Sequence, residues 1–413
     1  MATAESDFFT GAEVHRPAFD NKPKPVISYG LRFPEACIRH VSTDLASSRV
    51  FIMASRSLAT KTDALERLKK ALGDRLAGVR VGMSPHTPMD EVIETVHAVK
   101  HVSADCIVTL GAGSITDAAK LVRVAAANHI DTIEALTTLR NNSIVDFLPT
   151  MPLICIPTSL SGGEYQAMAA ATDPATLAKK MFHLGVEVDL VIQDPELCTT
   201  TPQWVWLSSG IRSVDHCVET LCSLLGNEMG DTWSRRGLEK LVPGLLHSKA
   251  DPTNLHVRHS CQLGVGDAMC AVSSGIPLGG SHAIGHQLGP LGVGHGETSC
   301  ILLAAVCKYN ARKGANVEKQ AATARLLLDD SNVLDVLMKA GLNPDTAELG
   351  DILEAIIREL GMPTSLEEVG VGSEKLDELA RNSLNDEWSV TNAVPLTEAD
   401  QVLEILNAVL KKK

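Results

Sequence analysis

The chain has 413 residues, 45% of them hydrophobic, which is enough material for one large domain or two domains with buried cores. Its net charge is −13, from 37 Lys and Arg against 50 Asp and Glu, so binding to nucleic acid through phosphate neutralisation is not expected. No apolar run is long enough to span a membrane and the N-terminus lacks a signal-peptide pattern, which predicts a cytoplasmic protein. Ten scattered cysteines in mostly apolar surroundings favour reduced core thiols.

The first half of the chain alternates short β-rich runs with helical patterns. Strands separated by helices predict parallel pairing through crossover helices, and hence an α/β domain over residues 1–195. Residues 1–25 are polar and contain proline, and we expect them to be loosely ordered. The predicted strands are residues 50–53, 79–81, 105–110, 153–156 and 189–192, with helices over 61–76 and 91–101.

The pattern changes after residue 195. Almost no β-rich run follows, so residues 196–413 are predicted to form an all-helical domain that packs closely on the first and leaves a cleft. The helical patterns cover residues 204–225, 232–246, 255–273, 299–311, 317–328, 333–340, 351–360 and 399–410.

Two segments rich in small residues leave predicted strands. In the first, small side chains let the backbone approach a diphosphate, and the helix that follows supplies amide donors. The third glycine of the G-x-G-x-x-G pattern is absent, and a tight turn needs similar residues. The first segment contributes Gly111, Ala112, Gly113 and Ser114 as candidate cofactor-binding residues, and the second contributes Thr158, Ser159 and Ser161.

Three histidines lie close together in a Gly-rich, apolar stretch. His282 and His286 are four residues apart and share one helical face, and His295 comes from the turn beyond. A lone histidine is more often satisfied by a backbone carbonyl. Three in one short segment favour a site that binds a metal or transfers protons.

Together these segments resemble the iron-containing (group III) alcohol dehydrogenases of the dehydroquinate-synthase-like superfamily, over nearly the whole chain. Gly111–Lys120 resembles the family's G-G-G-S-x-x-D-x-A-K loop, with Ala112 for one glycine and Asp117 at its acidic position, and Pro157–Glu164 resembles its P-T-T-x-x-G-S-E loop. The resemblance implies a Rossmann-like domain that binds NAD(P)H, a helical domain, hydride transfer in the cleft, and a homodimer.

Within the family the chain is most similar to maleylacetate reductases. Residues 210–219 resemble their G-M-R-A-L-D-H-A-V-E segment, residues 361–366 their G-x-P-T-S-L segment, and residues 392–397 a weakened N-P-R-x-x-T. This likeness implies reduction of an oxo-acid or a related small carbonyl compound.

The resemblance also implies a metal site with one ligand replaced. Metal-dependent members use one Asp and three His; His216, His282 and His295 fall at the histidine positions, but Arg212 occupies the Asp position. Its guanidinium repels a divalent ion. Asp215 is no obvious substitute, because it lies about 100° around the helix from His216. Three histidines can still bind iron or zinc, so the metal stays open.

The same replacement bears on the substrate. An arginine beside histidines can hold a carboxylate bidentately, although Arg212 can instead pair with Asp215 or Glu219. By resemblance His286 lies nearest the reacting centre and is the candidate acid. The candidate catalytic set is therefore His286, His216, His282, His295 and Arg212.

Cofactor choice depends on the residues after the first predicted strand. Where many family members have an acidic residue that binds the ribose 2′-hydroxyl, this chain has Ser55 and Arg56. Arg56 can pair with a 2′-phosphate, or can be a surface residue in a turn. This interpretation predicts that the protein accepts NADPH, and it leaves NADH open as a second cofactor.

Three functions remain in competition. The first is a reductase acting on a small carbonyl compound, and the charge of Arg212 favours a substrate that carries a carboxylate. The second is an iron- or zinc-dependent alcohol or aldehyde dehydrogenase, which bound metal in the purified protein would favour. The third is a non-redox lyase or cyclase, which tight NAD(P) binding without nicotinamide oxidation would favour.

Overall fold

The computed structural model describes residues 8–141, 147–176 and 179–411, and the chain divides into two compact units, one up to Thr201 and one from Pro202. The strands are β1 Val14–Phe19, β2 Lys22–Tyr29, β3 Val50–Ala54, β4 Leu76–Val81, β5 Cys106–Gly111, β6 Leu153–Pro157, β7 Met168–Thr172, β8 Lys179–His183 and β9 Leu190–Ile192. The helices of the first unit are α1 Phe33–Thr43, α2 Arg56–Lys61, α3 Ala64–Leu72, α4 Met89–His101, α5 Ser114–Ala127, α6 Ile133–Asn141 and α7 Pro195–Cys198.

The first unit is built on a sheet of seven strands in the order β1-β2-β9-β6-β5-β3-β4. All neighbours pair in parallel except β1 and β2, and β7 pairs with β8 separately. Every residue of β3, β5 and β6 is buried, as expected for strands covered on both faces. The predicted parallel sheet is confirmed. The carboxyl ends of β3, β5 and β6 lie side by side, since Ala54 pairs with Leu110 and Gly111 with Pro157.

The structure differs from the sequence prediction at the N-terminal side. Residues 14–29 form the hairpin β1–β2 rather than a loose segment, while residues 1–7 lie outside the described residues. Prolines argue against a strand, but Pro17 lies on the edge strand β1, where proline is tolerated, and Pro23 and Pro25 precede the part of β2 that pairs with β9. The single helix predicted over 61–76 is also wrong: α3 ends at Gly73, whose φ of +52° stops a helix, and β4 begins at Leu76.

The described residues of the second unit form helices and no strand, as predicted. Its helices are α8 Gln203–Cys222, α9 Glu228–Ala250, α10 Leu255–Val272, α11 Gly280–Leu288, α12 His295–Arg312, α13 Val317–Leu328, α14 Ser331–Lys339, α15 Leu349–Glu359, α16 Leu376–Ser383 and α17 Ala399–Ala408. Helix α8 is the centre of the unit, because α9, α10, α12 and α13 pack around it. Its residues from Trp206 to Cys222 are all buried.

The fold bears on the predicted state of the cysteines and on the predicted lack of a membrane span. All ten cysteines are buried and free, which confirms the predicted core thiols. Within residues 8–141, 147–176 and 179–411, no helix combines the length and apolarity needed to cross a membrane.

Candidate active site

The first glycine-rich segment lies at the carboxyl end of β5. Gly111 adopts a φ of +146°, and a Cβ added there would lie 3.0 Å from the Cβ of Ser55. Gly113 precedes α5 with a φ of +30°, and an added Cβ there would meet no atom within 4 Å. The backbone at Gly113 therefore borders open space at a helix N-terminus, an arrangement that suits an anionic group.

We predict that Gly113→Val weakens binding of NADPH and NADH about tenfold or more, because a β-branched side chain would enter the space that a diphosphate needs. The matched control is Gly185→Val, since Gly185 also has a positive φ (+66°) and open surroundings but lies outside the loop. Fluorescence titration of both cofactors measures the effect. Unchanged affinity in a folded Gly113→Val protein would remove the loop from the binding site.

The second loop follows β6, and a buried lysine donates hydrogen bonds to the backbone beyond it. The hydroxyls of Ser159 and Ser161 lie 2.9 Å apart, and Thr158 and Ser159 are buried. Lys120, on α5, is fully buried and donates to the carbonyl oxygens of Gly163, at 2.9 Å, and Met168. Helix α5 therefore fixes the course of both loops.

Asp117 is engaged within the protein. Its carboxylate lies 3.0 Å from Lys120 Nζ and accepts from the amide of Ala170 at 3.2 Å. Beside this pair, burial raises the pKa of Glu164 to about 7 although Lys120 acts to lower it. Asp117 thus anchors β7 and Lys120, which gives it a positioning role whether or not it also reaches a cofactor.

Ser55 and Arg56 lie at the end of β3, next to the first loop. The Ser55 hydroxyl accepts from the amide of Leu58 at 3.3 Å and caps α2. Arg56 is exposed, with its guanidinium over Gly82, where an added Cβ would lie 3.3 Å from Nη2. No ion pair joins Arg56 to any other described residue, so its charge is available to an external anion.

Four histidines of the second unit form a row. His216 stacks on His282 with ring centroids 4.8 Å apart, His282 and His286 are 6.5 Å apart, and His286 and His295 are 6.4 Å apart. His216 comes from α8, His282 and His286 from one face of α11, and His295 is the first residue of α12. We call these four residues the histidine row. It runs from buried His216 and His282 to half-buried His286 and exposed His295.

Glu219 on α8 holds the start of α11 and the His282 ring. It accepts from the amides of Gly279 and Ser281 at 2.9 and 2.8 Å, and its Oε2 lies 2.7 Å from His282 Nδ1. A carboxylate at a helix N-terminus is also favoured by the helix dipole. His282 Nε2 is buried and has no hydrogen-bond partner among the described residues. Burial lowers the pKa of His216 and His282 well below the usual range, so both rings are neutral at neutral pH.

Asp215, which the sequence analysis set aside as a metal ligand, contacts the same histidine as Glu219. Its Oδ2 accepts from the hydroxyls of Ser281 at 2.9 Å and Ser299 at 2.5 Å, and lies 3.5 Å from His282 Nδ1. Asp215 and His216 point in different directions from α8, but His282 comes from α11 and reaches Asp215. Burial raises the pKa of Asp215, and so does the neighbouring Glu219.

Arg212 is enclosed beneath the histidine row. Its Nη1 donates to Ser299 Oγ at 3.1 Å and lies 4.0 Å from Asp215 Oδ2, and its side chain is 3% exposed. Gly285 lies beside the guanidinium: a Cβ there would make an ordinary contact with Nη1 at 3.7 Å and a tighter one with Thr298 Oγ1 at 3.1 Å. Arg212 Nε is buried without a hydrogen-bond partner in the described chain. Burial lowers the pKa of Arg212, yet an arginine keeps its proton at neutral pH.

A turn between α16 and α17 contacts two histidines of the row. Asp386 Oδ2 lies 2.8 Å from His286 Nδ1, and the Trp388 ring lies 5.2 Å from the His286 ring and 5.6 Å from the His282 ring. The amide of Trp388 donates to Asp386 Oδ1 at 3.0 Å, which fixes the carboxylate. Sequence reasoning missed both residues, because nothing in their local pattern distinguishes them from an ordinary polar turn.

His295 is positioned by a backbone contact. A Cβ added at Gly296 would lie 2.5 Å from the carbonyl carbon of Ser208 and 2.8 Å from the amide nitrogen of Ser209. Helix α12 therefore starts almost in contact with the main chain of α8, and only glycine fits there.

The candidate residues thus gather in two places. The cofactor candidates of the first unit lie at the carboxyl ends of β3, β5 and β6, and the histidines lie with Arg212 in the second unit. Beyond the predicted set, the structure adds Lys120 in the first unit and Asp215, Glu219, Asp386 and Trp388 in the second.

Comparison with known proteins identifies the family. Residues 30–195 match the family described as iron-containing alcohol dehydrogenase, and residues 207–410 match the C-terminal domain of the Fe-containing alcohol dehydrogenase family. The dehydrogenase FUM7 of Gibberella moniliformis is 38% identical over 93% of this chain and 95% of its own length. Maleylacetate reductase 1 of Cupriavidus pinatubonensis is 26% identical over 82% of each chain.

Solved structures show the same fold. The crystal structure of a maleylacetate reductase from Agrobacterium tumefaciens covers 91% of this chain and 93% of its own, with a TM-score of 0.70 and 22% identity. That of a 1,3-propanediol oxidoreductase covers 91% and 96%, with a TM-score of 0.78 and 22% identity. The family implies a nicotinamide cofactor and a metal ion, typically iron. These relatives are dehydrogenases and reductases rather than lyases, and the chain belongs to the iron-containing alcohol dehydrogenase family as an NAD(P)-dependent oxidoreductase.

Proposed function

We propose that this protein reduces the carbonyl group of a small oxo-acid with NADPH or NADH, and that Arg212 supplies the positive charge that a metal ion supplies in metal-dependent relatives. The observation that carries the proposal is the guanidinium of Arg212, enclosed beneath the histidine row. The reduced nicotinamide supplies the hydride to the carbonyl carbon, and the carbonyl oxygen takes a proton from the protein.

The residues fit a divalent ion poorly. Asp215, Glu219 and His282 bring three potential ligand atoms within 4.8 Å of one another, but in the described part of the chain neither His216 nor His295 belongs to such a group. Glu219 is already bonded to His282 Nδ1. The charge of Arg212, 4.0 Å from Asp215, repels a cation at the same place. The proposed reaction therefore uses the charge of Arg212 and the histidines rather than a metal ion.

Arg212 has the properties of an anion-binding group. Its Nε–H is buried and unpartnered within the described residues, which costs about 1–3 kcal/mol unless a ligand supplies an acceptor. Asp215 and Glu219 do not cancel its charge fully, because burial raises the pKa of both carboxyls and favours their neutral forms. A substrate carboxylate can bind to the planar fork with defined orientation.

His286 is the proposed proton donor. Asp386 occupies Nδ1, so a proton given to a substrate leaves from Nε2, and the carboxylate stabilises the imidazolium that must form before transfer. His286 is half-buried, whereas His216 and His282 are buried and neutral. We propose that these two rings, with His295, shape the pocket around the carbonyl oxygen.

The cofactor residues proposed are those at the carboxyl ends of β3, β5 and β6. The open backbone at Gly113 supports binding of the diphosphate, and unpaired Arg56 supports acceptance of a 2′-phosphate and hence of NADPH. A homodimeric state and a cytoplasmic location remain predictions.

The second candidate is a metal-dependent alcohol or aldehyde dehydrogenase. One observation favours it: His282 Nε2 is buried and unpartnered while Glu219 holds Nδ1, which is how carboxylates orient metal-bound histidines.

One experiment separates the two candidates. Purified protein is stripped with chelator, its metal content is measured, and nicotinamide oxidation is followed with both cofactors against paired oxo-acids and neutral aldehydes. We expect undiminished reduction after stripping, oxo-acids preferred over neutral analogues, and NADPH accepted at least as well as NADH. Turnover that stops on stripping and returns with stoichiometric iron or zinc would establish the metal-dependent enzyme instead.

A further inference from the structure

A second cluster of potential metal ligands lies in the first unit, apart from the cofactor loops. His40, on α1, is buried: its Nδ1 lies 2.5 Å from Asp44 Oδ2 and its Nε2 lies 2.6 Å from Glu13 Oε1. His15, on the edge strand β1, has its ring centroid 4.5 Å from that of His40. Four residues therefore lie together: Glu13 just before β1, His15 on β1, His40 on α1 and Asp44 just after α1.

The three side chains are close enough together to form a first coordination sphere after small adjustments. His15, His40 and Asp44 each offer one ligand atom, and these atoms all lie within 4.8 Å of one another. Tetrahedral zinc with bonds of about 2.0–2.1 Å needs ligand atoms roughly 3.3 Å apart. His15 and Asp44 are exposed, so an ion can enter from solvent and a water can complete the sphere.

Glu13 completes the arrangement from behind. It is 4% exposed, accepts from the Ser28 hydroxyl at 2.5 Å, and pairs through its other oxygen with Arg39 at 2.9 Å. It is thereby fixed against His40 Nε2, and this leaves Nδ1 to face Asp44. A carboxylate that holds the outer nitrogen of a histidine, fixing its tautomer and orientation, is the usual support of a metal-bound imidazole.

We propose that His15, His40 and Asp44 bind a divalent cation of the zinc class, with Glu13 as the positioning residue for His40. Two imidazoles and one carboxylate select such an ion over magnesium or calcium, which prefer oxygen ligands. The ion would join β1, which pairs only with β2, to α1, and so secure the edge of the sheet. The competing interpretation is that His40 only hydrogen-bonds to Glu13 and Asp44.

The test uses the full chain, stripped with chelator and titrated with Zn²⁺ by calorimetry, with metal analysis after dialysis. We expect wild type to bind one equivalent more than His15→Ala or Asp44→Asn, and Glu13→Gln to bind that equivalent about 10- to 100-fold more weakly. Zn²⁺ should raise the Tm of wild type but not of His15→Ala, and Mg²⁺ should do neither. His101→Ala, which removes an exposed histidine from α4, is the matched control and should behave as wild type.

The difference between wild type and His15→Ala isolates this site from any ion bound at the histidine row. Equal zinc content and equal Tm shifts in the two proteins would overturn the proposal, as would an equivalent that wild type loses on dialysis.

Discussion

Replacing Arg212 with alanine is expected to raise KM for an oxo-acid substrate about 10- to 100-fold, because a hydrogen bond to a charged group is worth about 1.5–3 kcal/mol. KM for a neutral aldehyde should change little, since only the acid offers a carboxylate. Steady-state kinetics on the paired substrates measures the split. Arg235→Ala, at an exposed arginine of the same unit, is the control and should leave both values unchanged.

Two further variants distinguish the loss of a substrate contact from the loss of the folded structure. Arg212→Lys keeps the charge beside Asp215 but loses the fork, so we expect an intermediate KM with Tm close to wild type. Arg212→Asp introduces a carboxylate next to His216 and His282, and should raise iron or zinc occupancy while suppressing turnover of acids. If Arg212→Lys has the same KM as wild type for the acid and also for the aldehyde, Arg212 does not contact the substrate.

Replacing His286 with asparagine should lower kcat by about 10²- to 10⁴-fold and leave cofactor affinity unchanged, because proton donation is lost while the loops of the first unit are untouched. Asp386→Asn removes only the charge that stabilises the imidazolium, and should lower kcat about 10- to 100-fold. The pH profile of kcat should change in the Asp386 variant. His247→Asn, an exposed histidine on α9, serves as control.

A different pattern would assign the proton elsewhere. Wild-type kcat in His286→Asn together with loss of activity in His282→Asn would make the buried, Glu219-linked imidazole the donor.

The position of the two candidate cofactor loops was predictable, because it follows from local pattern and simple topology. A buried strand ending in Gly111 and another ending at Pro157 must bring their loops to one edge if the strands are parallel, and they are neighbours in the sheet. His282 and His286 were predictable as a pair for a similar reason, since a four-residue spacing places both on one face of α11.

The residues that orient these groups were not predictable in this way. Asp386 lies 100 residues from His286 in the chain, and only the packing of α16 on α11 brings the turn to the ring. Asp215 was set aside from its angle to His216 on one helix, a calculation that contains no information about a second helix. The β1–β2 hairpin was missed because prolines disfavour a strand, and local pattern does not show that Pro17 lies on a sheet edge or that Pro23 and Pro25 precede the residues that pair with β9.

Gly296 restricts how enzymes of this design can diverge. Its neighbour across the helix interface is the main chain of Ser208 and Ser209. A substitution at either position changes the side chain and leaves this backbone in place. A larger residue at 296 therefore cannot be accommodated by a compensating change in its partner; it could be tolerated only if α12 as a whole shifted and carried His295 with it. Divergence in substrate preference is thus expected to proceed through Trp388, whose side chain can be exchanged without moving a helix, while residue 296 stays invariant although it takes no part in the chemistry.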